Sequence, residues 1–372
     1  MQNNASEKLR LLIALHRKSM LAASHDALME TICIGIQEIL EAERATLFLL
    51  DSGKRELYGR IATGLSREGM DALRFPITDG IAGRVVREGC SMNVPDAYQH
   101  PNFKKEHDAA TNFITRSLLA VPIKNSNNST IGVLEVFNKS SNRHFTDDDE
   151  GLLALFANQI GSTLEILKLV EELKFTGIEA IYALAQTAEH RDSEDAPPHI
   201  KRVGKYSIAF AKLISLPPQM VEDIGITSQL HDIGKVAIPD AILKKPGKLT
   251  PDEWLIMERH TVYGYEMLMN LRSPLFQIAS RIALSHHEKF DGTGYPNKLK
   301  GEEIPLEARM VNIVDSFDTM TSKRIYKSAM AFEEAVEEVL RCSGKQFDPE
   351  LTRVFTDNQD HFKEIFRTSH SL

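Results

Sequence analysis

Five histidines and two aspartates in the second half of this 372-residue chain stand where buried side chains are expected. His231 and Asp232 are adjacent and end "VEDIGITSQLHD", a helix closed by Gly234. His199 opens "HIKRVGKYSIAFAKLI", whose apolar face is Val203, Tyr206, Phe210 and Ile214. His260 lies between Met257 and Tyr263, and Asp315 falls in line with Val311 and Asp318. In "HHEKFDGTGYP", His286 and His287 are neighbours. Successive side chains on a helix point about 100° apart, so this pair cannot share one apolar stripe but can flank a single point.

Any one of these imidazoles reads as an ordinary hydrogen-bonded core residue. Together, five imidazoles and two carboxylates in one helical region all need partners, because an unpaired carboxylate is costly to desolvate. A metal centre partners all of them. Neutral imidazoles with carboxylates suit first-row transition metals, and the lack of a Cys ligand speaks against structural zinc. Two ions roughly 3.5–4 Å apart are the usual apparatus for hydrolysing phosphate esters, with a carboxylate bridging them and a water activated between them. Lys235, one turn after the His-Asp pair, is placed to steady a non-bridging or leaving oxygen; the alternative is a plain surface lysine.

At this length the chain exceeds one typical core, and two domains are expected. It is 42% hydrophobic and 26% charged, with a mean hydropathy of −0.24, as in soluble globular proteins. A net charge of −8 and the absence of a Lys/Arg block argue against a nucleic-acid polymer as partner. An anionic ligand would need a local positive field, which bound metal ions supply. Three scattered cysteines, Cys33, Cys90 and Cys342, form no disulfide framework and fit a reducing cytosol. No signal peptide and no run of about 18 apolar residues is read, so the expectation is a cytoplasmic protein with no membrane partner.

The two halves differ in texture. "ATLFLLDS", "RELYGRIATG", "SLLAVPIK" and "TIGVLEVFNK" read as strands, the last two joined by the hairpin loop "NSNNST". Helical patterns flank them, giving an α+β first half: an antiparallel sheet with helices on one face. From about residue 175 the chain reads as all-α. In "LTPDEWLIMERH", Thr250 caps, Pro251 takes the first helical position and Glu253 completes a capping box. The expected layout is an N-terminal helix over 1–22, an α+β domain over 23–165, a connecting helix over 150–190 and a helical domain over 175–372. The connecting helix carries Leu153, Phe156, Ile160, Leu167 and Val170 at near-heptad spacing, then slips phase to Ile178, Ile181 and Leu184. That stripe is either a homodimer seam or a face packed on its own domain.

The second half resembles the HD-GYP family of phosphohydrolases through "QLHDIGKVAIPDAILKKPGKLT", "ERHTVYGYEML", "HHEKFDGTGYPNKLKGEEIPLEARM" and "VDSFDTMTSKRIYK", about 170 residues in the family's order. The resemblance implies a helical HD-type domain that hydrolyses cyclic di-GMP to pGpG or GMP. It implies two or three divalent transition-metal ions, iron or manganese expected, held by His199, His231, Asp232, His260, His286, His287 and Asp315. It also implies Asp232 and Lys235 as catalytic groups. Substrate contacts are expected from Lys235, Gly294, Tyr295, Pro296, Asp318, Arg324 and Lys327, although Gly-Tyr-Pro can also be an ordinary turn. Ile325 stands where the family has Pro. Members with a third metal resemble "RDPETGxH"; here "RDSEDAPPH" is one residue longer, leaving Glu194 (by motif) or Asp195 (by spacing) as the extra ligand, or both as loop acids.

The first half resembles a GAF domain in "GIAGRVVREG", "NVPDAYQHPNF", "LLAVPI" and "GVLEVFNK". Asn138, Lys139, Phe145, Asp149 and Glu150 fit the pattern of GAF domains that bind cyclic nucleotides, so a small-molecule or cyclic-nucleotide ligand is a candidate partner. A Lys–Asp pair tying strand to helix is the alternative. The rival functions are a non-catalytic cyclic di-GMP receptor and a phosphodiesterase for another cyclic dinucleotide such as cyclic GMP-AMP.

Overall fold

A computed structural model describes residues 25–65, 69–70, 73–105, 108, 113–140, 143–191, 196–322 and 329–370. The expected helix over 1–22 lies outside them. The chain divides into two compact units, Met1–Glu172 and Leu173–Leu372.

In the first unit, α1 (His25–Ile39) precedes β1 (Ala42–Asp51), β2 (Glu56–Ala62) and β3 (Arg74–Pro76). Then come α2 (Gly80–Glu88), β4 (Met92–Val94), β5 (Leu118–Lys124), β6 (Thr130–Lys139) and the start of α3 (Asp147–Glu189), whose last residues, from Leu173, belong to the second unit. The strands form one antiparallel sheet in the order β3-β2-β1-β6-β5-β4. The four longer strands fall where the alternating runs are. The three-residue strands β3 and β4 are too short to carry a period.

The sheet is apolar on both faces, not one. Ala45, Leu47, Leu134 and Val136 pack under α1 and the start of α3 with Cys33, Ile36, Leu153, Ala157 and Ile160. Phe48, Leu118, Ala120 and Val133 face the other way, toward α2 and its Ile81, Ala82 and Val85. Strand alternation forces this split, since residues two apart share a face.

Asn138, Lys139, Phe145, Asp149 and Glu150 tie the end of β6 to the start of α3. Asn138 has a positive φ of 55°, which Asn tolerates, and its side-chain oxygen accepts from the backbone N of Arg116 at 2.6 Å. Lys139 and Asp149 form a buried ion pair. Asn93 donates to the Phe145 carbonyl at 2.9 Å, and Ser91 donates to Glu150.

Along α3, the early stripe residues Leu153 and Ile160 are core, whereas Ile166, Leu169, Val170, Leu173, Phe175 and Leu184 are exposed. One 18-residue window of α3 has a mean hydropathy of 1.2 and meets the length and composition of a membrane span, a test that core helices also pass.

The second unit is helical: α4 (Ala196–Leu213), α5 (Pro218–Thr227), α6 (Pro251–Glu258), α7 (His260–Leu268), α8 (Pro274–Ser285), α9 (Leu306–Thr321), α10 (Phe332–Arg341), α11 (Pro349–Asp357) and α12 (Gln359–His370). No strand beyond an isolated bridge, Ser343 to Phe347, occurs among its described residues. The capping box of α6 is present: Glu253 N donates to Thr250 Oγ1 at 3.3 Å and Thr250 N to Glu253 Oε2 at 2.7 Å. The core centres on aromatic residues of α4, α9, α11 and α12. Tyr206 meets Phe317 edge-on at 5.6 Å, and Phe355 lies 4.3 Å from Phe362. That core fixes α4 against α9, which between them bring His199, Asp315 and Asp318 together.

Candidate metal centre

All of the expected donors except Asp315, which lies inside α9, come from segment ends, where side chains converge without interrupting a helix. His199 lies in the first turn of α4. After α5, a 3₁₀ turn (Ser228–Leu230) delivers His231 and Asp232, and a second (Ile233–Ala237) carries Lys235. His260 begins α7, His286 and His287 follow α8, and Asp315 is on α9.

Two glycines permit the approach. A Cβ on Gly234 would lie 1.9 Å from the carbonyl oxygen of His260, so only glycine lets this turn rest on α7. A Cβ on Gly294 would come within 2.2 Å of Lys289 N and 2.6 Å of His287 O. The Gly-Tyr-Pro turn therefore folds back directly on the histidine pair, with a cis Tyr295–Pro296 bond and the Tyr295 ring 4.9 Å from that of His287.

The centre has two neighbouring donor groups. Asp232, His260, His286 and His287 offer ligand atoms within 4.8 Å of one another, and so do Glu189, His199 and His231. Asp232 joins them: Oδ1 lies 3.1 Å from His260 Nε2 and 3.6 Å from His286 Nε2, while Oδ2 lies 3.3 Å from His231 Nε2. Asp315 Oδ1 is 3.4 Å from His199 Nε2 and 3.7 Å from His231 Nε2. One carboxylate thus faces both groups, as a bridging ligand must.

The hydrogen bonds set the tautomers. Nδ1 of His231 lies 2.8 Å from Ser228 O, Nδ1 of His260 lies 2.7 Å from Met257 O, and Nδ1 of His286 lies 3.1 Å from both Ile282 O and Ala283 O. Carbonyls only accept, so each Nδ1 carries the proton and donates. The inward Nε2 of a neutral ring is then a lone pair. Those of His231, His260 and His286 are buried and lack a hydrogen-bond partner, as is Asp232 Oδ1. Lone pairs converging on carboxylate oxygens repel unless a cation lies among them, and fixing a ring through its other nitrogen is how metal-binding histidines are held. The residues fit a metal.

The electrostatics agree. Burial lowers His199 and His231, but the surrounding carboxylates outweigh it, raising His199 well above its usual value and His231 to about 9. Burial and the neighbouring imidazoles depress His287. Burial raises Asp232, yet Lys235 and His231 more than reverse this and hold it well below the carboxylate range. The centre demands positive charge at fixed anions.

Lys235 Nζ lies 2.8 Å from Asp232 Oδ2. Arg191, unremarked in the sequence, steadies that segment by donating to Val236 O at 2.6 Å and Ile238 O at 3.0 Å. Glu288 is likewise new: buried behind the histidine pair, it accepts from Asn297 N at 2.7 Å and Leu299 N at 3.1 Å, closing the Gly-Tyr-Pro turn.

The structure places Asp318 differently from expectation. It is fully buried and accepts from His199 Nδ1 at 2.6 Å and Arg202 Nε at 2.7 Å. A carboxylate so enclosed positions His199 and has no face left for substrate. Glu194, Asp195, Arg324 and Lys327 lie outside the described residues. Glu189, at the end of α3, is the acid the structure brings to the centre: Oε1 is 3.3 Å from His199 Nε2, and Oε2 is buried without a hydrogen-bond partner.

A helical unit with such a centre, following an α+β unit, defines a class, and family models agree. Residues 24–164 match the GAF domain and residues 179–351 the HD domain, so the chain carries a GAF domain followed by an HD domain. It is 40% identical over 234 residues to "3'3'-cGAMP-specific phosphodiesterase 2" of Vibrio cholerae, covering 63% of this chain and 45% of that protein. It is 41% identical over 199 residues to a "Cyclic di-GMP phosphodiesterase" of Thermotoga maritima, covering 52% and 54%. It is 40% identical over 200 residues to a "Cyclic di-GMP phosphodiesterase response regulator" of Xanthomonas campestris, covering 54% and 53%. The chain spans about half the length of the curated relatives it matches.

Proposed function

We propose that the HD domain is a metal-dependent phosphodiesterase that hydrolyses cyclic di-GMP to pGpG and/or GMP. The observation that carries this reading is the convergence of Nε2 lone pairs on the two oxygens of Asp232. The full set of seven donors supports an enzyme over a non-catalytic receptor. Two or three transition-metal ions, iron or manganese, would polarise the phosphoryl oxygens and lower the pKa of a bound water. Asp232, which faces both donor groups, would help to hold the ions, and Lys235, 2.8 Å from that carboxylate, would supply positive charge to an anionic substrate. Tyr295 braces His287 and keeps that ring turned inward.

The relative named for 3'3'-cGAMP favours a second reading, in which cyclic GMP-AMP is the substrate. The reading also includes regulation by the GAF domain and a homodimer sealed along the exposed apolar residues of α3, among them Ile166, Leu169 and Val170. Light scattering on the wild type and a Leu169→Glu variant tests the dimer: the variant should be monomeric. Protein purified anaerobically, with metal content measured, should consume cyclic di-GMP faster than cyclic GMP-AMP. The reverse order selects the second reading, and no turnover of either at full occupancy selects the receptor.

A further inference from the structure

Lys235 sits on a stretch of chain that no buried side chain anchors. In the 3₁₀ turn Ile233–Ala237, Gly234 rests on the His260 carbonyl, and the next buried residue is Ile238. Between them Val236 and Ala237 are exposed, while Lys235 reaches inward to Asp232 at 2.8 Å. A long side chain is aimed only as well as its backbone is held, and this backbone faces solvent.

One side chain takes up its carbonyls. Arg191 Nη1 donates to Lys235 O at 3.2 Å and to Val236 O at 2.6 Å, and Nη2 donates to Ile238 O at 3.0 Å. Asp240, held in turn by Lys244 at 3.1 Å, pairs with the same guanidinium. Carbonyls at the end of a helical turn carry partial negative charge, and a guanidinium is a flat fork of donors that spans several of them at once. Arg191 follows two residues after Glu189, whose Oε1 is 3.3 Å from His199 Nε2. The end of α3 thus reaches the centre twice, through an acid among the donors and through a cation on the lysine's backbone.

We propose that Arg191 is a positioning residue for Lys235: its guanidinium fixes the backbone from which the ammonium is aimed, so one helix end sets both the lysine and Glu189. The effect on turnover rests on the phosphodiesterase reading of the HD domain. A guanidinium that only braced a surface turn would add stability and act independently of the Lys235 side chain.

The test is a double-mutant cycle on metal-loaded protein. Arg191→Ala should lower kcat about tenfold at near-normal KM and metal content, within the loss of up to about 10²-fold that a misplacement of ~1 Å brings. In a Lys235→Ala background the same change should cost less than about twofold, because residues that act through one another are not additive. The proposal is overturned if Arg191→Ala keeps wild-type kcat, if its loss is undiminished in the Lys235→Ala background, or if metal is lost in step with activity. A second measurement needs no turnover. Lys235, 14% exposed, is acetylated with acetic anhydride and counted by peptide mass spectrometry against the exposed Lys248. Arg191→Ala should speed its labelling about threefold or more, since the flexible stem then swings toward solvent. Unchanged labelling overturns the proposal whatever the substrate. Faster labelling in a chain whose wild type hydrolyses neither dinucleotide supports the positioning role and overturns only the phosphodiesterase reading. If Arg191→Ala fails to fold, Arg191→Lys, which keeps the charge but gathers its donors at one point, carries the same expectations.

Discussion

His199 Nδ1 and Asp318 Oδ2 lie 2.6 Å apart where solvent does not reach, so the ring of one metal donor is aimed by a carboxylate that touches nothing else but protein. Burial raises the Asp318 pKa, but the bonds from His199 and Arg202 outweigh it and keep Asp318 ionised. As a pure acceptor it obliges His199 to donate from Nδ1 and turn its Nε2 toward Glu189 and Asp315.

Asp318→Asn should therefore weaken metal retention by roughly 10- to 100-fold, the usual effect of losing a group that orients a metal-binding histidine. Competition against a graded chelator measures it. The KM for substrate should hardly move at saturating metal. Unchanged metal affinity with a raised KM would restore Asp318 to the substrate contacts that the family resemblance implies.

Glu189→Gln should remove about one equivalent of metal per chain and leave the Asp232, His260, His286 and His287 group loaded. Elemental analysis and electron paramagnetic resonance of manganese-loaded protein read this without turnover. Glu194→Ala should change nothing if Glu189 is the acidic ligand. No loss in either variant would define a centre of two ions.

Asp232→Asn should abolish hydrolysis and lower bound metal together, because the same carboxylate faces both donor groups. Lys235→Ala should depress kcat by 10²–10³ at near-normal metal content, in the range seen when one electrostatic stabiliser of a developing oxyanion is lost. Parallel loss of metal and turnover in Lys235→Ala would make Lys235 a structural partner of Asp232.

Glu135 gives a pH signature. Its folded pKa, about 8, lies above the usual carboxylate value. The stabilising effect of its bound proton is fully present below the unfolded pKa and is lost as pH rises through about 8. Burial on β6 causes the shift, and its size corresponds to stability on the order of 5 kcal/mol. Arg44, Lys104 and Asp108 line a cavity beside Glu135, and Asp108 is already bonded to Thr115 and Tyr98. Thermal melts should show the GAF transition falling between about pH 5 and 8 in wild type, with a flatter profile in Glu135→Gln. Identical profiles would show that Glu135 does not hold its proton in the fold.

The seven expected metal donors were legible: six stand at helix boundaries marked by local signals, such as Gly234 or the Gly-Tyr-Pro turn, while Asp315 lies inside α9 and is marked only by its line with Val311 and Asp318. Glu189 was not. In "QTAEHRD" it reads as an acid on a polar stretch, and only the packing of α3 against the centre buries it. Asp318 enters as a substrate contact through the resemblance alone, and spacing shows that it shares a face with Asp315 without showing that His199 and Arg202 occupy its oxygens. Glu135 escaped for a similar reason: in "TIGVLEVFNK" an alternating acid suggests a solvent-facing side, and what covers it is α2 with loop phenylalanines such as Phe103 and Phe113, which carry no period.

The contact between Gly234 and the His260 carbonyl sets donor spacing by backbone meeting backbone. Side chains elsewhere in the HD core can be exchanged for others of similar volume and the aromatic packing will readjust by tenths of an ångström. That give does not reach a distance defined by a missing atom. Sequence drift in the core is thus decoupled from the geometry of the centre, and variants chosen to stabilise this domain can draw on most of its interior while position 234 stays fixed.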